Sequence, residues 1–316
     1  MIKILIMLAI LTQLFYDGSN FIGFGINMQA TTKALWALML TIMLWASAFV
    51  GIRYVMMEFS AGSLAFARYF IASIAMIVPF LLVKNKKLPT LRDFLGFFIL
   101  GFLGFFVYNL FLNQGEISVS AGIANFIVSQ LPVIVALLAI FFFHERLNYF
   151  GILGFILSLC GGLVIVLAEK NVVSYQGIIL IYIATVSGAI FSCMQKKYLT
   201  RYHPIEVISY CIWFGTLALS IYLPKAIHEL STSHFSNLLV IIYMGILPGA
   251  VAYGLWCYAF KHIKASAASS FLYIMPVLTL LMAWVLLNEK PDIMAIVGGM
   301  VAVAGAIVIT RFGVKK

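Results

Sequence analysis

The stretch LPVIVALLAIFFFHERL at residues 131–147 returns as MPVLTLLMAWVLLNEKP at residues 275–291, each time with a proline in second place and a glutamate followed by a base near its end. Sliding residues 101–168 along 245–312 by 144 positions needs no gap. It pairs Gly101 with Gly245, Ala121 with Ala265, Pro132 with Pro276, Glu145 with Glu289, Gly154 with Gly298 and Gly161 with Gly305. A register held over so long a stretch is the mark of a duplicated unit.

Composition says what solvent that unit meets. Of 316 residues 64% are hydrophobic and 9% charged, against about 25% charged in an ordinary soluble domain, so most of the surface faces lipid. The formal charge of +10 does not point to nucleic acid, because the bases are scattered through short links with no basic stripe or aromatic interleaving. Cys160, Cys193, Cys211 and Cys257 all lie inside apolar runs, as small hydrophobes do.

Runs near the ~20 residues that span a bilayer are predicted at 34–54, 63–83, 92–114, 119–142, 150–168, 176–195, 204–223, 236–260, 265–287 and 292–311. They are helices, since isolated strands in lipid would leave backbone groups unpaired. The expectation is an all-α membrane protein of ten transmembrane helices, with residues 28–170 and 171–316 as two five-helix repeats. Five is odd, so the second repeat enters from the opposite side and is inverted. Inverted repeats about an axis in the membrane plane are a recurrent construction of secondary transporters, because related halves can expose one central site to each side in turn. Residues 84–93 and 228–237 read as polar links. For residues 1–27, with the apolar run MIKILIMLAILTQLF, an upstream start adding a dispensable leader is favoured, and an interfacial helix or an eleventh span stays open.

If Lys33 is cytoplasmic, 14 Lys and Arg residues gather at that side of the ten helices and 4 (Arg53, Lys170, Lys225 and Lys290) at the other. The positive-inside rule therefore predicts both ends of the ten-helix body in the cytoplasm.

The segments LWASAFVGIRYVM and LAFARYFIASIAMIVPFLL are similar to the first two helices of the EamA family of the drug/metabolite transporter superfamily. SAGIANFIVSQLPVIVALLAIFFFHERL and its partner copy resemble that family's fourth-helix signature. The resemblance covers residues 33–312. It implies a carrier of small metabolites in the bacterial inner membrane, often an exporter of amino acids or related compounds. Uptake of a host-type metabolite such as S-adenosylmethionine is the alternative direction.

Polar residues within the spans are few. Arg68 sits inside helix 2, where a charge costs about 2.5–3.5 kcal/mol on insertion scales and usually faces a wet cavity or a bundle interior. Both a scaffold role and direct contact with a carboxylate are open for it. Asn109 and Asn113 share one face of helix 3, and Asn125 and Ser129 one face of helix 4. The 144-residue offset maps them onto Tyr253, Cys257, Ser269 and Tyr273. With Trp45 and Trp256 these positions are expected to face a central substrate site, Arg68 included. Helix glue is the competing role for the amides and hydroxyls. Helices 5 and 10, rich in Gly and Ala, are assigned to scaffold or a homodimer contact. Glu145 and Glu289 read as helix-end determinants.

Neither a cofactor nor a metal is expected. A membrane-embedded enzyme would need a nucleophile with its base or a ligand cluster, and the five histidines fall at helix ends or links with no i, i+4 pair. A channel would show a ring of charges or a filter loop. Neither sign is present in the sequence.

Overall fold

The computed structural model describes residues 28–135, 138, 148–168, 175–262, 271–288, 292–308 and 312. Among these, every regular element is helical. In chain order they are α1 (Met28–Val55), α2 (Ala61–Leu82), α3 (Leu91–Glu116), α4 (Ala121–Val135), α5 (Tyr149–Ala168), α6 (Tyr175–Leu199) and α7 (Pro204–Thr232). There follow α8 (Phe235–Ile246, Leu247–Val251 and Ala252–His262), α9 (Phe271–Ile274 and Met275–Leu287) and α10 (Ile293–Val308). Six of them, α1, α2, α3, α6, α7 and α8, are long and apolar enough to cross a membrane, and α4, α5, α9 and α10 are represented by shorter apolar helices. The leader at residues 1–27, Glu145, Glu289 and Ser269 lie outside the described residues.

Local sequence explains the helix ends. Thr90 caps α3 by accepting from the Asp93 N–H at 3.3 Å. A capping box between His203 and Glu206, followed by Pro204 in the first turn, starts α7. Asn288 ends α9 in the left-handed region, at φ 55°, where asparagine is among the tolerated residues.

Helix pairing repeats itself five helices on. α2 packs on α7, α4 on α9 and α5 on α10, while α1 lies against α8 and α9 as α6 lies against α3 and α4. The α5–α10 contact is the closest built. Gly161 faces the backbone of Gly298 and Ala302, Gly305 faces that of Gly154 and Ser158, and Ser158 Oγ donates to the Ala302 carbonyl at 3.3 Å. The small-residue faces of these helices are thus turned to each other within one chain, as expected where backbones approach without side chains between them.

The same offset recurs in finer detail. Thr41 Oγ1 donates back to the Ala37 carbonyl at 2.8 Å and Thr185 Oγ1 to the Ile181 carbonyl at 2.7 Å, both pairs 144 residues apart. Two segments widen to the π-helical register, Phe102–Val107 in α3 and Leu247–Val251 in α8. In the second, Pro248 has no N–H to continue the i−4 ladder. α4 is interrupted by a turn at Ser129–Gln130, and α9 opens with a 3₁₀ turn at Phe271–Ile274, each directly before the Leu-Pro or Met-Pro of the repeated phrase.

One expectation is corrected. Residues 228–232, read as part of a polar link, continue α7 after a 3₁₀ step at Ser220–Tyr222. Pro224 fits the first turn of the new helical stretch. Its polarity is amphipathic: Ala226 is buried, Lys225 and His228 are exposed, and Lys225 pairs with Glu229 at 3.7 Å one turn on.

Candidate functional site

A cavity of about 580 Å³ lies between the two sets of helices. Its deep part is walled by Trp45, Ile52, Arg68, Tyr69, Tyr108 and Asn109, and its shallow part by Ser192, Cys193, Lys196, Lys197 and Thr200 of α6 and the residue just beyond. The cavity therefore runs toward the end of the bundle that carries Lys84, Lys86, Lys87 and Arg201, called the basic end below.

The walls are aromatic by construction. The Trp45 ring lies 5.1 Å from both Tyr253 and Trp256, and Phe105, in the first π segment, lies 5.0 Å from Tyr69 and 5.2 Å from Tyr253. Both π segments are held by polar side chains around this wall. Asn109 Nδ2 donates to the carbonyls of Phe105 and Gly104 at 3.0 and 3.4 Å, Ser187 Oγ to that of Leu103 at 2.8 Å, and Trp45 Nε1 to that of Pro248 at 3.2 Å. A widened turn leaves carbonyls without their usual i+4 donor, and these side chains supply one. Asn109 is fixed from its other side, since the Tyr69 hydroxyl donates to its Oδ1 at 3.2 Å.

Arg68 is the charge in this apolar setting. It is buried, yet its Nε and Nη1 have no hydrogen-bond partner among the described residues. Its guanidinium carbon lies 5.6 Å from the Tyr69 ring, a contact that steadies a cation but satisfies none of its N–H groups. Leaving such donors buried and unpaired is costly, and Arg68 is at the same time one of the residues that line the cavity.

Of the residues singled out in the sequence, Arg68, Trp45, Asn109, Ser129, Tyr253 and Trp256 meet at the cavity. Three others are turned into helix contacts. Asn113 Nδ2 donates to the Ala61 carbonyl at 3.0 Å. Asn125 Nδ2 donates to Thr279 Oγ1 at 2.5 Å, which in turn donates to the Ala46 carbonyl at 3.3 Å. Tyr273 is buried beside Val133. Sequence reasoning missed Tyr69, Lys196 and Lys197. The first carries no periodic signal next to Arg68. The lysines were legible, because Gly188, Ser192 and Lys196 fall on one face of α6 at spacings of four.

The end of the bundle opposite the basic end is tied shut. Arg53 Nη1 donates to the carbonyls of Glu116, the last residue of α3, and Ile117, just beyond it, at 2.6 and 2.8 Å, where the helix dipole favours a cation. Glu58 accepts from Asn237 Nδ2 at 2.6 Å and lies 3.3 Å from His234. Glu229 accepts from the Ser60 N–H at 3.0 Å. At the basic end Asp93 gathers Arg201 at 2.5 Å, Tyr202 at 2.8 Å and Thr90 at 2.9 Å, joining α3 to the α6–α7 link.

The sequence profile of the EamA-like transporter family matches residues 32–167 and again residues 175–311. The chain belongs to the EamA-like transporter family. It is a membrane transporter and not an enzyme. Among EamA-like relatives, it is 34% identical over 290 residues to the uncharacterized transporter YdfC of Bacillus subtilis, covering 88% of this chain and 94% of that one. It is 32% identical over 280 residues to a probable terminal-alkyne amino-acid exporter of Streptantibioticus cattleyicolor, covering 89% and 94%. A crystal structure of a protein 19% identical overlays 88% of this chain and 96% of its own with a TM-score of 0.64, which shows a shared fold.

Proposed function

We propose that this protein is a secondary transporter that exports amino acids or closely related carboxylates by alternating access, through ten spans built as two inverted five-helix repeats. The 144-residue recurrence of hydrogen bonds, π segments and glycine contacts supports the repeat, as does the double match to the family profile. The excess of bases at one end supports placing that end in the cytoplasm of a bacterial inner membrane. Export agrees with the name of one relative and with a cavity that runs to the basic end.

The observation that carries the substrate class is Arg68, a buried guanidinium among the cavity-lining residues whose Nε and Nη1 have no hydrogen-bond partner among the described residues. The planar fork of a guanidinium matches the two oxygens of a carboxylate. Trp45, Tyr253 and Trp256 supply apolar walls for its body, and Asn109 and Ser129 complete the proposed site. Asn113, Asn125 and Tyr273 act through helix packing.

Arg68→Lys keeps a charge but loses the planar fork. It is expected to lower transport of carboxylate-bearing substrates at least tenfold in proteoliposomes, with folded yield near wild type. Carboxylate transport unchanged in Arg68→Lys, in a variant that folds, overturns the assignment.

A further inference from the structure

The cavity offers a carboxylate much more than it offers an amine. Among the described residues that line it are three cations, Arg68, Lys196 and Lys197, and no Asp or Glu. An α-ammonium group entering this space meets no carboxylate among those wall residues. In a dry site, that is the partner an ammonium most needs.

Backbone oxygens are the usual substitute, and broken or widened helices are where membrane carriers expose them. Here those of the π segments beside the wall already have donors. The Gly104 and Phe105 carbonyls accept from Asn109, that of Leu103 from Ser187, and that of Pro248 from Trp45. What remains for an ammonium is uncharged: the carbonyls of Val128 and Leu272, four residues before Pro132 and Pro276, ring faces, and phenol oxygens such as those of Tyr108 and Tyr253. A ring face attracts a cation, but Arg68 lies on the same wall and repels it. The carboxylate end meets the opposite conditions, with a lining guanidinium, Arg68, whose Nε and Nη1 have no acceptor among the described residues.

We infer that the site reads a carboxylate attached to an apolar body and does not read the α-amine, so that N-acylated amino acids and amine-free aryl or alkyl carboxylates are cargo alongside free amino acids. This rests on the proposed seat for a carboxylate at Arg68 and narrows it. The recognition element is one charge, deep in the cavity, and everything beyond it is selected by shape and apolarity. Lys196 and Lys197, at the shallow end, would draw an anion in and not a zwitterion of zero net charge.

The test is a titration of the purified protein in detergent, read by intrinsic tryptophan fluorescence, to which Trp45 and Trp256 on the wall contribute. Four probes share one phenyl ring: L-phenylalanine, N-acetyl-L-phenylalanine, 3-phenylpropionate and 2-phenylethylamine. The expected result is that 3-phenylpropionate and N-acetyl-L-phenylalanine bind within threefold of phenylalanine or more tightly, and that 2-phenylethylamine binds at least thirtyfold more weakly. Phenylalanine binding tenfold or more tightly than both of the amine-blocked or amine-free carboxylates would overturn the inference while sustaining the carboxylate seat. Comparable binding of 2-phenylethylamine, or binding of none of the four, would overturn the seat and the inference together. All four measurements use the wild-type protein, so a variant that fails to fold cannot blur the outcome. Arg68→Gln, checked for folded yield, adds an expected loss of at least tenfold for every carboxylate probe.

Discussion

Asn109 and Asn113 stand one turn apart on the same helix and do different work. Asn109 lines the cavity while holding the carbonyls of a π segment, and Asn113 binds the first residue of α2 from within the packed bundle. Asn125 resembles Asn113, being the head of a chain that runs through Thr279 to the Ala46 carbonyl and joins α4, α9 and α1. Removing such a bond in a membrane protein costs about 0.6 kcal/mol on average and at most about 1.7. Asn125→Ala and Thr279→Val are each expected to lower stability within that range, and the double variant by less than the two together, because both break one chain. Thermal unfolding in detergent measures this, and the affinity for a carboxylate probe should stay within threefold of wild type. A tenfold loss of affinity in Asn125→Ala would return that residue to the site. The sequence reading put these amides on inward faces, and all three are buried. It could not divide them between cavity and glue, since the same donor and acceptor serve a ligand or a neighbouring helix equally well, and only the distance to the next backbone decides.

At the scale of elements, the glycines of α5 and α10 and the π segments of α3 and α8 set the geometry. Any Cβ at Gly161 would fall on the backbone of Gly298 and Ala302, with no flexible side chain to move aside. Gly161→Ala is therefore expected to destabilise by about 1–3 kcal/mol and Gly161→Ile by more, with folded yield on size exclusion falling in that order. Equal yields for wild type and Gly161→Ile would mean that the two helices can separate. Close packing of these helices was legible from their Gly and Ala content. Their contact with each other was not, because small-residue faces look alike whichever partner they meet. The π segments were invisible as well. FLGFFV at 102–107 reads as plain apolar helix, and its widening follows from side chains on α6 and one turn along α3 that take up its carbonyls. The amphipathic end of α7 was misread because its polar letters were counted without testing their helical spacing. The six long apolar helices were legible because lipid leaves a spanning segment no alternative to helix.

Taken whole, the molecule is open toward one end and latched at the other. A carrier that alternates must break the latch, which consists of Arg53 on the end of α3, Glu58 with Asn237 and His234, and Glu229 with Ser60. Glu58 and Ser60 belong to the first repeat and their partners at 229–237 to the second, so these contacts report the relative position of the halves. The exposed pairs are each worth no more than about 1 kcal/mol. The two bonds from Arg53 are charge-assisted and of the kind that contributes about 1.5–3 kcal/mol, which makes Arg53 the main restraint. Cys193, partly exposed on the cavity wall, reads the state of the opposite end. With Cys160, Cys211 and Cys257 replaced by serine, a membrane-impermeant thiol reagent is expected to label Cys193 in inside-out vesicles and not in right-side-out ones. Adding Arg53→Gln removes the charge that holds the latch while the pairs around Glu58 and Glu229 remain. It should slow labelling from the inside several-fold and make Cys193 reachable from the outside, as the population moves toward the opposite opening. Labelling unchanged by Arg53→Gln would show that the contact at the end of α3 is not what keeps that side closed, and labelling of the parent from right-side-out vesicles would invert the orientation drawn from the distribution of bases.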